Sequence, residues 1–214
     1  VEVFGGISTA ITGGSVSLSS GTATTKSSGA VVIRSTSAGS GGVSGHLSFY
    51  TGASNAGSSG KVSLVTGAAT GGKAGDISVA GGSGDHTESG YIYVQGGSTS
   101  SATGTGGSVS LTSGAGTAKS SGKLLLRSVN AGVAGVSGSL HFKTGTTSAG
   151  SSGIVSISTG TANGVNGMSG AITLSAGLSE TAAGGYIIAL GGSASTNTGG
   201  TVSLASGSGI AKSS

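Results

Sequence analysis

The sequence predicts an all-β chain, a parallel β-solenoid of about 13 coils, on three observations: an apolar alternation of period two, glycines bounding each alternation, and a nested internal repeat. The long period is 93 residues. Gly14-Ser15-Val16-Ser17-Leu18 returns as Gly107-Ser108-Val109-Ser110-Leu111 and again as Gly200-Thr201-Val202-Ser203-Leu204. Within it lie six short repeats of 15–17 residues, each opening on Gly, with apolar side chains at positions 3 and 5 and usually Gly at position 8. The resulting pairs run Val16/Leu18, Val31/Ile33, Leu47/Phe49, Val62/Leu64, Ile77/Val79 and Ile92/Val94, and the same phase continues through Val202/Leu204.

Each element follows from this pattern. Positions 3 and 5 share one face of a strand, so each short repeat supplies one strand with one apolar side. A strand this short cannot bury that side alone, and stacking successive repeats in register would give a continuous core. Glycine at the corners supplies positive φ for tight turns, and the lack of Pro leaves every backbone N–H free for a ladder. Six coils at the inter-strand spacing advance about 29 Å, which makes the chain a rod of about 60 to 65 Å. The expected organisation is a partial coil over 1–13, a first six-coil repeat over 14–106, a second over 107–199, and the start of a third over 200–214. The opening inside a coil, and the absence of polar caps, suggest a piece of a longer array.

Composition narrows the function classes. Of 214 residues 48 are Gly, 7% are charged and 3% aromatic, unlike a globular enzyme. Hydrophobic residues still make up 34%, too many for a charged disordered linker. The net charge of +4 comes from scattered Lys and Arg with no basic run, which argues against nucleic acid as a partner. No apolar run is long enough to span a bilayer. The opening Val1-Glu2-Val3-Phe4 carries no basic region followed by an apolar stretch, so no signal peptide is visible in this segment. Without Cys there are no thiolate sites, and no cofactor or metal is expected. The cluster Asp76, Asp85, His86 and Glu88 does not recur, since His86 and Glu88 align with Thr181 and Ala183, so no catalytic residue is assigned. Gly81-Gly82-Ser83-Gly84-Asp85 places Asp one residue early for a calcium-binding nonapeptide and does not iterate. Asn55, Asn130, Asn163, Asn166 and Asn197 all lack the acceptor triplet for N-linked sugars, whereas Ser and Thr leave O-linked sugars open.

Positions facing outward carry the candidate site. Ser or Thr holds the middle position in most repeats, as at Ser17, Ser48, Ser63 and Ser110. The exceptions recur in matching places: Val32 with Arg34, and Leu125 with Arg127, in the second repeat of each six; Tyr91 and Tyr93, and Tyr186 and Ile188, in the sixth. Outward apolar side chains imply lateral contact with another rod or with glycan. Lys26, Lys119 and Lys212 occupy one coil position and form a line of single surface charges.

The Gly/Ser/Thr-rich units resemble those of parallel β-solenoid repeat proteins found in secreted and surface fibres, and the resemblance spans the whole chain. It implies fold first and function second. The expectation is a non-catalytic structural protein forming a stiff extracellular or cell-surface filament, self-associating end to end and laterally, with glycan or polysaccharide as a further partner. The alternative expectation is a ligand-binding solenoid, either an adhesin stalk that binds carbohydrate or an ice-binding protein, although Val32, Tyr93, Leu125, His141 and Ile188 interrupt the uniform hydroxyl column that ice would require.

Overall fold

The computed structural model describes residues 1–85, 88–163 and 167–207, and these contain neither helix nor β-strand. The β-solenoid expectation is therefore corrected, and with it the coil-by-coil stacking and the 29 Å spacing. The physical reason lies in the backbone hydrogen bonds. Among the described residues every backbone bond is local, joining residues three, eight or ten positions apart, and none ties one short repeat's apolar pair to the next. Without a cross-repeat ladder nothing lies over positions 3 and 5.

Burial follows suit. No apolar side chain is buried among the described residues, and Val31, the most covered of the large ones, is still 47% exposed. The alternation survives only faintly. In the segments 29–35, 90–96 and 122–128, positions 3 and 5 are less exposed than position 4, but no core results.

What repeats in space is a loop with a pinched neck. Each short repeat runs through a seven-residue segment, positions 1 to 7, and then a loop that bends near its middle, at 9–11, 24–26, 40–41, 55–57 and 70–72, and onward at similar intervals. The loop returns so that the next opening glycine lies beside position 7 of the segment it left. Seven necks are closed by a hydrogen bond from that opening glycine's N–H to the position 8 carbonyl: Gly14 to Gly6 at 2.7 Å, Gly29 to Gly21 at 3.0 Å, Gly90 to Gly82 at 3.0 Å, Gly107 to Gly97 at 2.8 Å, Gly122 to Gly114 at 2.9 Å, Gly185 to Gly177 at 3.2 Å and Gly200 to Gly192 at 2.8 Å.

The role expected for the corner glycines is also corrected. Among the described glycines positive φ occurs at Gly41 (82°) and Gly150 (150°), both inside loops and neither at an opening position. Opening glycines are instead required by close approach. A β-carbon on Gly45 would stand 3.3 Å from Ser35 Cβ, and one on Gly14 would stand 2.6 Å from the Gly6 nitrogen. Ordinary cross-strand β-carbons sit about 4.5–5.5 Å apart, so these necks are narrower than a β-pair allows for any other residue.

The chain divides into two units, Val1–Val109 and Ser110–Ser214. The division falls inside the Gly-Ser-Val-Ser-Leu that opens the second long repeat.

Candidate functional site

Necks at both ends hold each seven-residue segment, and the predicted site residues lie on four such segments. Val32 and Arg34 occupy positions 4 and 6 of 29–35, and Leu125 and Arg127 the same positions of 122–128. Tyr91 and Tyr93 lie on 90–96, and Tyr186 and Ile188 on 185–191. All eight are exposed, with Val32 at 75%, Leu125 at 62% and Tyr93 at 87%. Position 4 is apolar in all four, so these segments present uncovered apolar side chains at consecutive positions.

Of these residues the structure brings together Tyr91 and Tyr93, with ring centroids 6.1 Å apart and planes tilted by 39°. That spacing is within the range of favourable aromatic pairs. No hydrogen bond or ion pair among the described residues engages Arg34 or Arg127. Lys26 and Lys119 sit at the bends 24–26 and 117–119, on the loops that lead into 29–35 and 122–128. Lys212 lies outside the described residues, as does His86.

Charges elsewhere are sparse. The single ion pair among the described residues joins Lys73 Nζ to Asp76 Oδ2 at 2.7 Å, with both side chains largely exposed. Such a surface pair contributes little. No cluster of three or more His, Asp or Glu is found among the described residues. No enclosed cavity is found there either.

Two local features went unread in the sequence. The first is a loop turn in which a hydroxyl accepts the N–H of a residue three positions on: Ser8 from Ile11 at 3.1 Å, Ser54 from Gly57 at 3.0 Å and Ser179 from Ala182 at 3.1 Å. These satisfy backbone donors at the bends. The second is position 7. Its residues run Ser20, Ser35, Thr51, Thr66, Gly81, Gly96 through the first long repeat and Ser113, Ser128, Thr144, Thr159, Ala176, Gly191 through the second. That near-identical series was the available signal, and together with position 8 it tracks which necks close.

The rule is steric. Where position 7 is Thr, its γ-methyl faces the opening glycine, as at Thr51 to Gly60, where a β-carbon would meet Cγ2 at 3.5 Å, and at Thr66 to Gly75, at 3.4 Å. Those necks carry no hydrogen bond. Where position 7 is Ser, Ala or Gly and position 8 is Gly, the backbones come together and the bond forms. The second short repeat of each six has Thr36 or Val129 in place of the position 8 glycine, and its neck is also unbonded.

No helix of the described residues is long and apolar enough to cross a membrane. Comparison with protein-family models, with curated proteins and with solved structures finds no match to this chain.

Proposed function

We propose that this chain is a non-catalytic structural protein that self-associates through its exposed apolar segments into an extracellular or cell-surface assembly. One observation carries the proposal. The chain exposes 21039 Å², whereas a folded monomer of its 19.4 kDa mass exposes about 8,500 Å². The excess, roughly 12,000 Å², is several times what a stable protein interface buries, about 1,200–2,000 Å². The apolar share of that excess, which includes the side chains at positions 3 and 5 of each short repeat, is driven out of water by association.

The choice of self as partner rests on periodicity. To cover apolar pairs recurring every 15–17 residues, a partner must present apolar groups at matching intervals, and a second copy does. Low charge removes most of the repulsion that would keep copies apart. The extracellular or surface setting rests on composition shared with Gly/Ser/Thr-rich fibrous proteins, and the exposed hydroxyls offer attachment points for O-linked sugars.

Sedimentation velocity over a wide concentration range tests the reading, with electron microscopy of the same samples. The expected result is a mass that climbs above 19.4 kDa with concentration and gives extended assemblies. A chain that stays monomeric at every concentration overturns it.

A further inference from the structure

The four segments that carry apolar side chains at position 4 are of two electrostatic kinds. The second-repeat segments are basic. Lys26 on loop 21–29 leads into a segment holding Arg34, and Lys119 on loop 114–122 leads into one holding Lys123 and Arg127. The sixth-repeat segments are entered from acidic loops: Asp85 and Glu88 on 82–90, and Glu180 on 177–185. Both acidic loops are closed at the neck by a hydrogen bond, Gly90 to Gly82 and Gly185 to Gly177, which keeps the acids on a loop that returns to the start of the tyrosine segment. The chain has five acidic residues, and three of them fall on these two loops.

We infer that the basic apolar segments 29–35 and 122–128 of one copy dock on the tyrosine-bearing segments 90–96 and 185–191, with the acidic loops that lead into them, of a second copy. This inference rests on the self-association proposed above and names its surfaces. Pairing like with like sets Arg127 and Lys123 against the same charges, a cost that unlike pairing converts into attraction. Within each unit both kinds of segment remain uncovered, Leu125 and Tyr93 included, so neither covers the other there. Each unit, Val1–Val109 and Ser110–Ser214, carries one segment of each kind. A contact between two different surfaces of identical chains is heterologous, and it gives a closed ring where its rotation closes and an open assembly where it does not.

The test uses charge inversion in the full chain, on exposed residues. Arg34→Glu with Arg127→Glu makes one variant, and Glu88→Lys with Glu180→Lys makes the other. Light scattering and sedimentation at low and high salt give the concentration of half-association. Each variant alone is expected to associate about tenfold more weakly than the unmodified chain, and an equal mixture of the two to recover most of that loss. The unmodified chain is expected to weaken as salt rises. If the unmodified chain associates but the mixture is no tighter than either variant alone, this pairing is overturned while self-association stands. If it never associates, both fall.

Discussion

Replacing Thr66 tests whether a single methyl group holds a neck open. Its Cγ2 lies where a β-carbon on Gly75 would meet it at 3.4 Å, and the Gly75 N–H makes no bond to the Gly67 carbonyl. Ser20 fills the same position one γ-methyl smaller, and there Gly29 bonds Gly21 at 3.0 Å. Thr66→Ser is therefore expected to close the neck, whereas Thr66→Val, which keeps the branch and loses the hydroxyl, leaves it open. A neutral hydrogen bond of this kind is worth about 0.5–1.5 kcal/mol net. At room temperature that slows exchange of the Gly75 amide about twofold to twelvefold, since exchange follows the population of the open form. Solvent-exchange NMR on labelled chain at low concentration reads this directly. The reverse change, Ala176→Thr, is expected to speed exchange at Gly185 by a similar factor, because the added methyl meets a neck bonded at 3.2 Å. Equal exchange at Gly75 in the Ser and Val variants would refute the steric account, and slower exchange in the Val variant than in the Ser variant would point to the hydroxyl.

Two further outcomes follow from the same geometry. Gly14→Ala places a β-carbon 2.6 Å from the Gly6 nitrogen, so the 2.7 Å bond between these residues is expected to be lost and the residue 14 amide to exchange several-fold faster; unaltered exchange would show that the neck can slide at no cost. Lys73→Ala removes the exposed ion pair with Asp76 and is expected to leave circular dichroism and the concentration of half-association unchanged.

The short repeat was legible in the sequence because it is written in side-chain chemistry. Gly at position 1 and apolar groups at positions 3 and 5 locate every segment, and the structure places a neck at each boundary so located. Stacking was not legible. Period-two alternation states which side chains share a face, but not whether anything covers that face, and Val16, Leu18 and their counterparts are left uncovered in this chain. The glycines misled for a related reason. A corner glycine reads equally as a need for positive φ or as a need for missing bulk, and only the spatial neighbour, such as Ser35 beside Gly45, separates the two. For the candidate site, Val32, Tyr93, Leu125 and Ile188 are exposed, but so are Val31, Ile33, Ile92 and Leu124, which the alternation placed inward, so exposure does not single out the outward set.

Loop length does not decide whether a neck closes. Loops 97–107 and 192–200 differ by two residues, ten positions from end to end against eight, yet both are bonded at 2.8 Å, and both have Gly at position 7. Loops 21–29 and 52–60 are equal in length, yet only the first is bonded, and they differ in carrying Ser20 and Thr51. Entropy of closure grows only slowly with length, whereas the presence of the bond follows the residues at positions 7 and 8. The local rule thus outweighs the polymer term. It also explains how two long repeats with different loop insertions keep one pattern, in which the first, fifth and sixth necks are bonded and the second, third and fourth are not. The bonded fifth and sixth necks are those that flank the tyrosine segments in both repeats, and the sixth stays bonded although its loop differs by two residues.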